Sequence, residues 1–305
     1  MIEALAVAGG FAAAAVRVAT PLLLAATGET VTERSGVINL GIEGSMLAGA
    51  LAAAIGATAA GPWWGIVAGV LAGMALAGIF AAVTVGAGAD QIIAGTAVTL
   101  GAVGITGVLY RAAYGTAGAG LSIPTLPPMP VPGLAGIPVI GPAIFSQPPT
   151  TYIALAAVPV AWGILFRSRW GLALRASGEN AAAARAMGVR VRAMRTAATV
   201  AGGGMAGLAG ASLVLAQVGT FAERMTAGRG FVAIAIVVLG RWNPAGVLLA
   251  SLLFGAATAL QFVFQAAGVR APYQIFLMLP YLLALLGLAG AVGRVRAPGD
   301  LGRGA

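Results

Sequence analysis

The chain carries no charged residue between Glu43 and Asp90, and uncharged apolar runs of similar character recur along its length. A hydrocarbon layer cannot hydrogen-bond to a peptide group, so a run placed there must satisfy its own backbone. Helices of about 20 residues do this while crossing the layer. Hydrophobic residues make up 60% and charged residues 8% of the 305, against roughly 25% charged in an ordinary soluble domain. The expected fold class is all-α, a polytopic transmembrane helix bundle forming a single domain over residues 1–305. The 47 glycines suit helices whose backbones pack closely.

Charge-free intervals place the spans. Ala4 to Gly28 holds one, with Arg17 inside it. The Glu43–Asp90 run is broken by Gly61-Pro62-Trp63-Trp64 into two helices, and another span lies between Asp90 and Arg111. Ala112–Thr150 holds nine of the sixteen prolines and no charge beyond Arg111, which forbids regular helix. It is expected to be an external loop with room for a short surface helix. Thr151–Phe166 and Thr196–Val218 are further spans. Arg229 and Arg241 enclose eleven residues, too few for a regular span, so a half-helix or broken helix buried in the bundle is expected there. Arg241 to Arg270 and Arg270 to Arg294 each enclose a full span. The expected total is eight to ten spans.

Seven of the seventeen arginines fall between Arg167 and Arg195. A basic island between two bilayer-length runs is a cytoplasmic loop by the positive-inside rule. The C-terminal arginines Arg294, Arg296 and Arg303 are expected on the same side, as is the Arg241-Trp242-Asn243 turn, with the proline-rich loop outside. Nine crossings place Met1 outside, and a re-entrant piece around Glu29–Gly41 reverses that. No cleavable signal peptide is expected, because Glu3 precedes the first apolar run and Arg17 interrupts it.

Within the island, Ser177 is expected to cap a short helix beginning at Gly178 or Glu179. Ala181 to Ala184 give that helix a smooth surface, Arg185 complements its C-terminal end, and Gly188 stops it. Such a helix does little alone; docked into a groove of a soluble partner it becomes a mechanical coupler. The island's outer arginines are expected only to hold it on the cytoplasmic side.

The chain has no cysteine or histidine, which removes thiol chemistry, most zinc sites and imidazole catalysis. All seventeen basic residues are arginine, and a Walker A loop requires lysine, so an energised transporter built on this chain must borrow its ATPase. No catalytic residue, metal or cofactor is expected. The net charge of +9 suggests nucleic acid, but the arginines are distributed as topology signals, so membrane lipid and no nucleic acid is the expected environment.

Three further stretches place polar groups at span ends. In Glu33–Gly44, Asn39 and Glu43 sit among Gly36, Gly41 and Gly44, either facing a cavity or partner, or starting a helix at the interface. Asp90-Gln91 either caps the following helix or gates a pathway. Gly240-Arg241-Trp242-Asn243-Pro244 reads as a helix start at the interface, with a gate as the other possibility. Pro62-Trp-Trp-Gly65 and Pro244-Ala-Gly246 each open a long apolar helix. The pair is either an inverted repeat or a match by composition alone.

Gly178–Val189, Glu33–Ala50, Gly240–Gly255 and Leu277–Leu288 together make the chain resemble the permease subunit of an ATP-binding cassette importer. The branch is the one for nucleosides and simple sugars, related to branched-chain amino-acid and ribose permeases. The resemblance runs over nearly the whole chain, and the Glu33–Gly44 stretch is its most specific part. It implies a type II importer-like fold in a prokaryotic plasma membrane. It also implies separate ATPase subunits, a second permease subunit in a heterodimer, and an extracytoplasmic substrate-binding protein. The coupling helix that seats in the ATPase then falls on Glu179, Asn180, Ala182, Ala183, Arg185 and Gly188, with Asn180 where the common pattern has alanine. A pathway or gate for a neutral polar solute falls on Asn39, Glu43, Asp90, Gln91 and Asn243. The rival class is an ion-coupled secondary transporter, for which Glu43 is the one appealing acid.

Overall fold

A computed structural model describes residues 2–115, 123–266, 278, 282 and 296–303. The helices are α1 (Ile2–Arg34), α2 (Ile42–Ala60), α3 (Pro62–Ala81), α4 (Gln91–Tyr114), α5 (Pro149–Arg167), α6 (Arg169–Glu179), α7 (Ala181–Ala186), α8 (Val191–Ser212), α9 (Arg229–Leu239) and α10 (Pro244–Ala266). Wide π-type turns extend α3 to Gly86 and α8 to Val218. Among the described residues seven helices are long and apolar enough to cross a membrane. Seven of the eight to ten expected spans lie among the described residues. The span expected between Arg270 and Arg294 lies outside the described residues, Met278 and Leu282 apart. No re-entrant piece begins at Glu29, because α1 continues unbroken to Arg34 and only residues 35–41 leave the helix.

The bundle is organised around α8 and its extension, where 83% of the most apolar stretch is buried, against 28% for α3. Small residues make this possible. A Cβ on Gly49 of α2 would lie 2.5 Å from Gly207 Cα of α8, and one on Gly69 of α3 would lie 2.9 Å from Ala211 Cβ. Dispersion between closely approaching backbones then holds α2, α3 and α8 together, since lipid gives no hydrophobic drive for helix pairing. The outward faces of α3 and α4 expose Trp63, Trp64, Leu71, Ile93, Leu100 and Val108, an apolar surface suited to lipid or to another subunit.

The proline-rich segment folds against the first turns of α1. A two-residue antiparallel pairing joins Met129 to Gln147 and Pro130 to Ser146. The buried Gln147 side chain donates to Ala13 O (3.3 Å) and Pro142 O (2.9 Å). At the opposite end of the bundle, Arg34 Nε donates to Trp242 O (2.9 Å) and Arg195 Nε to Ser35 O (3.1 Å). The basic island, the α9–α10 turn and residues 296–303 therefore gather at one end, with the proline-rich segment at the other.

Candidate functional site

The basic loop contains two helices in place of one. Ser168 starts α6 by accepting from Gly171 N (2.9 Å), and α6 runs to Glu179 because nothing in RWGLALRASGE interrupts it. Ser177 is therefore not a cap: its hydroxyl donates to Ala173 O (2.8 Å) within α6. The chain leaves the helix at Asn180 (φ −156°, ψ 97°), whose Oδ1 accepts from Ala183 N (2.9 Å) and begins α7. This gives Asn180 a physical reason to stand where alanine is expected, since asparagine is among the best caps and alanine among the worst. Gly188, at φ +83°, ends the unit in the left-handed conformation. Ala181 and Ala184 turn inward against Val191, so the smooth surface is narrower than four alanines. Ala182, Ala183, Arg185 and Met187 face outward, Met187 being 85% exposed.

The second feature is a pair of helix starts inside the bundle. After α1 ends, residues 35–41 turn back into the protein and α2 begins at Ile42, fully buried. Glu29 Oε1 accepts from Asn39 N (2.8 Å), Asn39 Oδ1 accepts from Gly41 N (3.0 Å), and Gln91 Oε1 accepts from Ile38 N (2.8 Å). Glu43, on the first turn of α2, accepts from Gly228 N (2.8 Å) and Gly230 N (2.6 Å) at the start of α9. Helix α9 is the eleven-residue half-helix expected between Arg229 and Arg241. Its orphan amides end on a carboxylate inside the bundle, an arrangement that satisfies irregular backbone away from water. From there α9 runs to the basic end, where Trp242 Nε1 donates to Glu33 Oε2 (2.5 Å).

Comparison with known proteins gives this geometry a family. Residues 11–288 match the family described as branched-chain amino acid transport system / permease component. This chain belongs to that family. It is a membrane permease subunit of an ATP-binding cassette importer. The permease is similar to the putative glucose ABC transporter permease protein TsgC13 of Haloferax volcanii, at 39% identity over 95% of this chain and 94% of that one. It is 35% identical to the guanosine ABC transporter permease protein NupQ of Bacillus subtilis over 92% of this chain and 91% of the relative. The nucleoside ABC transporter permease protein NupC of Lactococcus lactis subsp. cremoris matches at 35% over the same shares. No solved structure matches the permease at comparable significance.

The structure separates the expected site residues into three groups. Glu179, Asn180, Ala182, Ala183, Arg185 and Gly188 lie together in the α6–α7 unit. Asn39, Glu43 and Gln91 lie together around the α1–α2 connection. Asp90 and Asn243 are helix caps: Asp90 Oδ1 accepts from Ile92 N (2.8 Å) and Ile93 N (2.9 Å), and Asn243 Oδ1 accepts from Ala245 N (3.0 Å).

Glu29, Arg195 and Asp300 carry structural roles that their sequence context does not signal, and Glu33, expected at a helix start, pairs with Trp242. Glu29 and Glu33 are buried on one face of α1, as their spacing of four residues allows. Arg195 is 1% exposed and donates to the carbonyls of Ser35 (3.1 Å), Ser177 (3.3 Å) and Arg303 (3.2 Å), so it does more than mark topology. Asp300 reaches the first residue of α7, with its Oδ2 accepting from Ala181 N (2.7 Å).

Proposed function

We propose that the permease carries a nucleoside or a simple sugar into a prokaryotic cell across the plasma membrane, driven by ATPase subunits that seat on α7. The observation that carries this is the outward face of α7, where Ala182, Ala183 and Met187 present a small apolar surface at the basic end of the bundle. A short helix with such a face fits a groove in a soluble partner. With no lysine in the chain for phosphate binding, the energy of ATP enters from that partner.

The basic end, with residues 296–303, then faces the cytoplasm. A substrate-binding protein delivers solute on the side of residues 112–150, and a second, different permease subunit packs against the apolar faces of α3 or α4. The solute passes near the α2 and α9 starts, where Asn39, Glu43 and Gln91 lie. The Asn39 and Gln91 amides and the backbone groups there suit a neutral, hydroxyl-rich solute. Motion entering at α7 switches this region between outward and inward access. The opposed α3 and α10 form an inverted pair about it.

Reconstitution of the permease with its ATPase, companion permease and binding protein in liposomes tests this. Uptake of labelled guanosine or glucose that requires ATP and the binding protein is expected. ATP-independent uptake that follows a proton or sodium gradient would identify a secondary transporter.

A further inference from the structure

Residues 296–303 thread through the basic end of the permease and touch both the coupling loop and the α1–α2 connection. Asp300 N donates to Gly178 O (2.8 Å), while Asp300 Oδ2 accepts from Ala181 N (2.7 Å) at the start of α7. Gly299 N reaches Glu179 Oε2 (3.3 Å), and a Cβ on Gly299 would fall 2.5 Å from Glu179 O, an approach open to glycine alone. On the other side, Gly302 N donates to Gly36 O (3.1 Å). Arg303 O accepts from Arg195 Nη1 (3.2 Å) and Gln91 Nε2 (3.4 Å). Leu301 packs against the main apolar cluster.

Helix α7 has six residues, and helices below about 12 residues do not hold themselves in water. Its orientation must be imposed by its neighbours. Asn180 satisfies one amide of its first turn and Asp300 another, with a carboxylate at the positive end of the helix. We infer that Asp300 is a positioning residue for energy coupling, clamping α7 to a segment that transmits its displacement into the α1–α2 connection. The route runs from Ala181 through Asp300 to Gly302 and Arg303, and from there through Gly36, Arg195 and Gln91. Ile38 and Asn39 continue it toward Glu43 and the start of α9. This rests on α7 being the contact for the ATPase.

The test measures ATP hydrolysed per solute imported, using the complete importer in proteoliposomes with labelled guanosine and glucose as probes. Asp300→Ala and Asp300→Asn are compared with Ala183→Glu, which places a bulky charge on the outward face of α7. Asp300→Ala is expected to raise the ratio about fivefold, the factor that losing a typical cap carries. Asp300→Asn, which keeps an acceptor for Ala181 N, should return it to within about twofold of wild type. A merely structural role lowers the yield of assembled complex and leaves the ratio per complex unchanged, and that result overturns the inference. If Ala183→Glu uncouples and Asp300→Ala does not, the inference alone fails. If Ala183→Glu leaves the ratio at its wild-type value, the assignment of α7 as ATPase contact fails, and the inference falls with it.

Discussion

Glu43 and Gly230 join two helices that both begin inside the bundle. The carboxylate on the first turn of α2 accepts the Gly230 amide at 2.6 Å, and a Cβ on Gly230 would fall 2.7 Å from Glu43 Cα. Two helix starts, each with a partial positive charge, thus meet around one negative group.

Removing that group exposes the cost of the break. Glu43→Ala leaves the Gly228 and Gly230 amides without acceptors and should destabilise the permease by about 3 kcal/mol. Glu43→Gln keeps an acceptor oxygen but not the charge, and should lose roughly half as much. Thermal unfolding of the detergent-solubilised protein measures both. Equal stability of wild type and Glu43→Ala would mean that α9 does not depend on this cap.

Arg195 reaches three carbonyls from three segments through Nε, Nη1 and Nη2, a planar spread that the single nitrogen of a lysine ammonium lacks. Arg195→Lys should therefore cost about 2 kcal/mol despite keeping its charge. The same unfolding measurement applies, and a change below ~0.5 kcal/mol would show that charge alone matters at this position.

Asn180 begins α7 through its side-chain oxygen. Asn180→Ala should lower solute imported per ATP hydrolysed by about fivefold, and Asn180→Asp, also a good cap, should stay near wild type. An equal loss in both variants would point to a contact specific to the asparagine amide.

The small-residue contact between α2 and α8 predicts a position-dependent response to bulk. Gly49→Leu drives a side chain into Gly207 and should cost at least about 3 kcal/mol, seen as loss of folded permease in membranes. Gly101→Leu, on α4 where a Cβ meets nothing within 4 Å, should accumulate normally.

Much of this was legible in the sequence, because membrane helices announce themselves by charge-free length and because caps and stops use few residue types. Asp90, Pro62, Asn243 and Gly188 mark helix boundaries where the sequence places them, and eleven residues between two arginines announce a half-helix. The burial of Glu29 and Glu33 was illegible for the opposite reason. Acids near the end of an apolar run suggest the interface, and only the continuation of α1 to Arg34 brings them inside. Ser177 misled because a serine before glycine and glutamate imitates a cap when the preceding helix has no visible end. Asp300 gave no signal, since it acts on a residue 119 positions away and a short Pro/Gly-rich segment carries no periodicity.

Seating of the ATPase on α7 is directly measurable, because the chain has no native cysteine. A single cysteine introduced as Ala183→Cys is treated with a bifunctional thiol cross-linker in the assembled importer, with ATPase subunits carrying a cysteine in their docking cleft. Cross-linking to the ATPase, blocked by a thiol reagent supplied from the cytoplasmic side only, is the predicted result. Labelling of Ala183→Cys by an impermeant reagent from outside intact cells, or an intact complex with no cross-link to the ATPase, would contradict it.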